Sequence, residues 1–298
     1  MTAIATDRAL AGWKRILACL LVTAGALGMS GCSLMRVGYN YADNVALYMA
    51  RDHFDPGTAQ YEELKTRVAR LHQWHRGKEL PEYETLLRSA MARIEKGVAP
   101  LDVSWAYSAL RVRFRDVAVR VSEEVAPVLA TLSTAQIAHL EHKLAEANEK
   151  YAREYLNGNP SKQHRARTER TKDRFEDWVG GLNREQEAMI EQFVAANDRY
   201  TRLRFEDRQR WQRDAVALIK RHRRAEDLAV HLGRLFADPD ATRTEEFLGE
   251  TKRWEASLAL LMVQMNRTLT REQRARAIER LGRYADEFKA LAAAPRKG

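Results

Sequence analysis

The sequence predicts an all-α protein, either a multi-helix bundle or a curved helical array of long amphipathic helices, with no sheet. Three observations carry this expectation. The 298 residues include only 7 prolines and 15 glycines, too few for the closely spaced turns of a strand-rich fold. Ala, Leu, Arg and Glu dominate, and all favour helix. Apolar residues recur at steps of three and four, the period of one helix face. With 31% charged residues and a mean hydropathy of −0.53, each helix should bury one face only.

Arg8, Lys14 and Arg15 precede an uncharged, mainly apolar run from Ile16 to Met29, followed by Ser30, Gly31 and Cys32. The run is shorter than the roughly 20 apolar residues of a membrane-spanning helix and fits the apolar region of a secretory signal. Met29-Ser30-Gly31-Cys32 resembles a lipobox, with Met29 where Leu is usual. That resemblance implies cleavage before Cys32 and a diacylglyceryl group, palmitate-type chains included, on its sulfur. The alternative is a plain signal peptide or N-terminal anchor with Cys32 incidental. The expected parts are a lipoprotein signal peptide over 1–31, an acylated tether over 32–40, a helical domain over 41–294 and a disordered tail over 295–298. Ser33, in place of the Asp that retains lipoproteins in the inner membrane, points to the inner leaflet of the outer membrane, facing the periplasm. Cys19 leaves with the signal, so no intrachain disulfide is expected.

The helices follow in order. Asp55-Pro56-Gly57 opens a helix through Leu71, with Leu64, Val68, Leu71 and His75 on one stripe. Pro81 opens another toward Ile94, closed between Gly97 and Pro100. The longest stripe is Val103, Tyr107, Leu110, Phe114, Val117, Val121, Val125 and Val128, with Arg111, Arg113, Arg115 and Arg120 off it. Asn157-Gly158-Asn159-Pro160 is the clearest turn and the place where two halves would meet. Met189, Phe193, Ala196, Tyr200 and Leu203 make a further stripe, which Trp211 and Leu218 extend. Gly180-Gly181 and Asp238-Pro239-Asp240 break the chain again. About nine helices are expected.

One start signal occurs three times: Leu132-Ser133-Thr134-Ala135-Gln136, Leu182-Asn183-Arg184-Glu185-Gln186 and Leu269-Thr270-Arg271-Glu272-Gln273. Each is a capping box with its staple residue. Ser133, Asn183 or Thr270 accepts from a free N–H of the first turn, and the glutamine three positions on reaches back to the cap's own N–H. Three sound helix starts would look the same, and the spacings give no clean repeat.

The Leu-Thr-x-x-Gln pattern, full at Leu269–Gln273 and departing at Asn183 and Ser133, resembles the signature of the Spy/CpxP periplasmic chaperone group. The resemblance implies a helical protein that holds unfolded clients or a sensor domain. Cys32 with Arg36-Val37-Gly38-Tyr39-Asn40, Leu71-His72-Gln73-Trp74-His75-Arg76 and Glu79-Leu80-Pro81-Glu82-Tyr83 resembles an uncharacterised family of proteobacterial lipoproteins. That second resemblance implies a lipoprotein and a helical fold, with function left open.

Chemistry is harder to find. His72, His75 and Glu79 share one predicted helix face, and His139 and His142 repeat the spacing, but no Cys ligand and no His-Glu-x-x-His motif completes a metal site. No nucleophile elbow, phosphate-binding loop or catalytic carboxylate pair appears, so neither an enzyme nor a cofactor is expected. The net charge is +9. It concentrates between Arg199 and Arg224, where Arg202, Arg204, Arg208, Arg210 and Arg213 interleave with Tyr200, Phe205 and Trp211. This stretch is either a solvated helix face or a surface for an anionic partner; export argues against nucleic acid. The expected function is a lipid-anchored, periplasm-facing binding protein, chaperone-like toward unfolded envelope proteins. The alternative is a structural or interaction lipoprotein that meets one folded envelope partner or anionic lipid through 199–224.

Overall fold

The computed structural model describes residues 31–294, with side chains from 35 onward. The signal peptide, the lipobox positions before Gly31, the Cys32 side chain and the tail at 295–298 lie outside the described residues. All regular elements are helical, and no strand occurs among the described residues.

Two compact units are present. In the first, the residues expected to form the tether make helix α1, Gly31–Asn40. The second begins at Asp43 and holds all that follows. Its helices are α2 (Ala42–Phe54), α3 (Thr58–Trp74), α4 (Leu80–Lys96), α5 (Pro100–Leu129), α6 (Thr134–Tyr155), α7 (Pro160–Val179), α8 (Arg184–Ala196), α9 (Asp198–Arg221), α10 (Ala225–Ala237), α11 (Glu245–Thr268) and α12 (Arg271–Ala293). The turn at 157–160 separates α2–α6 from α7–α12. Asn159 caps α7 by accepting from Ser161 and Lys162 N–H, and Pro160 takes the first turn, where a missing N–H costs nothing.

Three local readings of the sequence change. Pro81 stands in the first turn of α4, as expected, but no break precedes it. The chain runs from α3 into α4 through a π-helical turn, His75–Glu79, in which Leu80 N–H donates to His75 C=O. The widened turn absorbs a proline that cannot donate. It also rotates Glu79 away from the face that carries His72. The stripe from Met189 to Leu218 is not one helix either: Asn197 ends α8, its side chain donating to Phe193 C=O and Ser257 Oγ.

The third correction concerns α5. Leu110 and Phe114, expected in the buried stripe, stand 55% and 62% exposed. The line that packs is Ala118, Ser122, Ala126 and Leu129, all buried. Small side chains there let α10 approach closely, with Gly233 beside Ser122. Leu228 and Leu232 of α10, both fully buried, then share one core with Ala126, Leu132, Ile137 and Ile219. A second core joins Ile190, Val194, Leu261 and Met265 of α8 and α11. A third joins Leu47, Leu64 and Val128. Removing several methylenes from such buried positions costs roughly 2–5 kcal/mol.

Candidate functional site

The three predicted caps form, and their glutamines do more than cap. Ser133, Asn183 and Thr270 accept from the N–H of Gln136, Gln186 and Gln273 at 3.2, 2.9 and 3.2 Å. Each glutamine Oε1 in turn accepts from its cap's N–H. The staple leucines Leu132, Leu182 and Leu269 pack on the cores beneath. Gln186 and Gln273 then face each other, each Nε2 donating to the other's Oε1 at 2.9 and 3.0 Å. The second N–H of each amide reaches the start of the opposite motif, from Gln186 to Thr268 C=O at 3.2 Å and from Gln273 to Gly181 C=O at 2.8 Å.

Gln136 has the same kind of partner, in a helix start the sequence reading did not single out. Gln60 accepts from Gly57 N–H at 2.9 Å and exchanges bonds with Gln136 at 2.7 and 3.3 Å. Here too the second N–H groups reach backbone carbonyls, from Gln60 to Thr131 and from Gln136 to Asp55. Thr131 and Thr268 occupy equivalent places, and their hydroxyls donate to Val128 C=O and Met265 C=O. The same hydrogen-bond set thus joins α3 to α6 and α8 to α12. Glycine hid the first box, because Gly57 has no side chain to accept the returning bond. The spacing Gly57-x-x-Gln60 was the available signal.

A trough runs along α9, made of three adjoining concavities. One of about 450 Å³ lies against α6, lined by Leu144, Asn148, Phe205, Gln212 and Arg213. The next, about 340 Å³, is lined by Phe114, Tyr151, Arg204, Phe205, Arg208 and Trp211. The third, about 310 Å³, lies between α7 and α11, with Arg170, Arg174, Tyr200, Arg204 and Trp254 in its wall. Phe205 is shared by the first two, Tyr151 and Arg204 by the last two. Aromatic rings order this wall: Tyr151 stacks on Phe205 at 5.5 Å, and Tyr200 stacks on Trp254 at 4.9 Å. Burial pushes the Tyr200 hydroxyl pKa above its ordinary value, against the pull of Arg204 and Arg243.

The five arginines singled out in this segment separate into three kinds. Arg210 is structural: it bonds Asp207 and Asp214, each at 2.7 Å, and Thr242 at 2.9 Å. Arg208 lies 5.3 Å over the Tyr151 ring. Arg202, Arg204 and Arg213 have no carboxylate within ion-pair reach among the described residues, and Arg202, Arg204 and Arg213 are exposed. Neighbouring cations are also tied down, with Arg199 on Glu246 and Lys220 on Glu141. Sequence reasoning found Tyr200, Phe205 and Trp211 but not Phe114, Tyr151 or Trp254, which come to the trough from other helices.

The histidine pairs do not converge. His72 Nδ1 stands 3.9 Å from Asp43, its side chain mostly buried. The His75 ring packs edge-on against Tyr83. Burial, and then His72, hold the His75 pKa below its ordinary value. Glu79 faces Arg113 instead, at 3.6 Å. His139 meets Asp52 C=O at 2.8 Å, while His142 meets Glu146. Among the described residues no three His, Cys, Asp or Glu side chains are placed to hold a metal, and no helix is long and apolar enough to cross a membrane.

No curated protein and no solved structure matches the chain. A family model described as a family of unknown function, DUF6279, matches residues 52–248. The match takes in the Gln60–Gln136 pair, most of the trough and Gln186, and it ends before Gln273. It spans well over half of the chain, which therefore belongs to the DUF6279 family.

Proposed function

We propose that the protein is a lipid-anchored binding protein of a bacterial envelope, facing the periplasm, that holds exposed segments of unfolded envelope proteins in the α9 trough. The observation that carries this reading is the makeup of the trough. It is open, apolar at its aromatic wall, and edged by Arg204 and Arg213, whose charge is not spent on the fold. Phe114, 62% exposed, adds an apolar ring at the trough's rim beside Phe205 and Trp211. Such a surface meets a peptide with mixed apolar and acidic side chains without demanding one sequence. Two further features support the reading: the lipobox-like Met29–Cys32, and the glutamine-bearing caps that resemble the Spy/CpxP group. Attachment through diacylglyceryl Cys32 in the inner leaflet of the outer membrane is part of the proposal, because two or more acyl chains hold a protein where one does not.

The test is suppression of aggregation of a denatured client by the purified protein, without ATP. Suppression near one-to-one stoichiometry, reduced several-fold by Phe114→Ser, is the expected result. Failure at several-fold excess overturns it. Palmitate labelling that is lost in Cys32→Ala tests the anchor separately. A second reading has its own observation: Arg202, Arg204 and Arg213, with no carboxylate partner among the described residues, also suit one folded acidic partner or an anionic lipid surface. Capture that vanishes as salt rises, with no effect on aggregation, would favour it.

A further inference from the structure

A fourth concavity, of about 480 Å³, lies among α4, α7, α11 and α12. Arg174 and Phe175 line both this cavity and the third part of the trough, so α7 is the wall between them. The lining is chemically different from the trough. Ile94, Phe175, Trp178, Met262, Met265 and Leu281 make it apolar almost throughout. Trp178 and Met262 are each 38% exposed, which marks the open side. The two methionines give a wall that re-packs around a flexible ligand. A cavity between helices, within the roughly 300–1,000 Å³ that small ligands occupy, is a common form of binding site.

Its mouth is cationic. Arg174 lines it. Arg280 lies 5.1 Å over the Trp178 ring and donates to Asp177 C=O. Arg276 packs on Gly180, beside the lining residue Val179. None of the three has a carboxylate within ion-pair reach among the described residues, and the lining contains a single acid, Asp177. An apolar shaft under a guanidinium-rich mouth matches an amphiphile with one apolar chain and one anionic head. The planar fork of an arginine fits a carboxylate bidentately, as it does a phosphate.

We propose that this cavity binds one long-chain fatty acid, its carboxylate held at Arg174 and its chain lying along Trp178, Met262 and Met265. The proposal does not rest on the anchor at Cys32, and the cavity shares only Arg174 and Phe175 with the trough. It is tested by titrating cis-parinaric acid into the full chain and displacing it with oleate. The expected result is saturable one-to-one binding that oleate reverses. Ala90→Phe, which fills the cavity from α4, should abolish the signal while helical circular dichroism is kept. Arg174→Glu, at an exposed position that leaves the fold alone, should weaken oleate about ten-fold and leave the neutral monoolein unchanged. Non-saturable uptake overturns the site. So does parent-like affinity in a folded Ala90→Phe. Equal affinity of parent and Arg174→Glu for oleate overturns the place given to the carboxylate.

Discussion

Gln186 and Gln273 close each other's side-chain amides in both directions, at 2.9 and 3.0 Å, with 0% and 8% of their surfaces exposed. Each oxygen takes two bonds, one from its own cap N–H and one from the partner amide. Each nitrogen gives two, to the partner oxygen and to a backbone carbonyl at the opposite helix start. All hydrogen-bonding positions of the two amides are filled, which is the condition under which a buried polar network stabilises rather than costs. The motif is thus a clasp between two helix starts distant in sequence, and Gln60 with Gln136 repeats it.

Breaking the clasp should be expensive and non-additive. Gln273→Ala leaves Thr270 N–H, Gly181 C=O and half of the Gln186 amide without partners, at an expected cost of about 2–4 kcal/mol. Gln186→Ala should cost about as much. The double variant should fall short of their sum by about 1 kcal/mol, because the second change removes a group already stranded. Gln136→Ala should cost less, about 1 kcal/mol, since that pair is only half-buried and water can replace lost bonds. Urea unfolding of the four variants checks the order. Additive costs at Gln186 and Gln273 would mean the amides do not act as a pair.

Charge in the trough should divide between stability and binding. Arg210→Ala removes bonds to Asp207, which is 11% exposed, and to Asp214. Arg243 still holds Asp207 at 3.2 Å, so a loss of about 1–2 kcal/mol is expected. Arg213→Ala breaks no bond of the fold and should shift stability by no more than about 0.5 kcal/mol. It should instead weaken capture of an acidic client, most clearly at low salt. Thermal unfolding alongside binding at two ionic strengths separates the cases. An unchanged affinity in Arg213→Ala would take this part of the trough out of client binding.

Much of the fold was legible because its signals are local. The caps at Ser133, Asn183 and Thr270, the turn at 157–160 and the helical period all depend on residues close in sequence. Three things were not legible, each for a physical reason. Large apolar residues drew the reading of α5 toward Leu110 and Phe114, whereas close helix packing selected Ala118, Ser122 and Ala126. The π turn at 75–79 changed which face Glu79 shares. The trough gathers Phe114, Tyr151 and Trp254 from three helices, and nothing in a stretch of sequence marks them as neighbours. The basic run on α9 was visible, but which of its arginines were already paired could be read only once Asp207, Asp214 and Glu246 were in place.

Gly180 is a position where only glycine fits. Its φ is +85°, a region that other residues rarely adopt, and a Cβ there would collide with the Arg276 guanidinium. It also ends α7, donating from its N–H to Glu176 C=O at 2.8 Å. Gly180→Ala should therefore cost about 1–3 kcal/mol, more than the usual small effect of such a change at a loop. Gly181→Ala, with nothing within 4 Å of its Cβ, is the control and should be close to neutral. Equal unfolding midpoints for the two variants would show that neither the positive φ nor Arg276 excludes a side chain at Gly180.

Glu79 sets a pH dependence opposite to that of an ordinary paired carboxylate. Its side chain is fully buried, neither oxygen has a hydrogen-bond partner, and the nearest cation, Arg113, is 3.6 Å away. Burial raises its pKa above the ordinary 4.5; Arg113 pulls down without prevailing, and Asp116 and Glu82 add to the rise. The folded chain therefore holds this proton more firmly than the unfolded one. The resulting stabilisation is complete below about pH 4.5 and is lost as pH rises through the folded value. His75 acts in the other direction: burial lowers its pKa from 6.5, so its contribution is lost as pH falls through the folded value. Glu79→Met should abolish the first effect and leave the second. The variant should gain about 1 kcal/mol or more over the parent near neutral pH, and the gain should shrink steadily toward about pH 4. Chemical unfolding across that range reads it directly. A constant difference between the two proteins would show that the Glu79 carboxyl keeps its ordinary pKa in the folded chain.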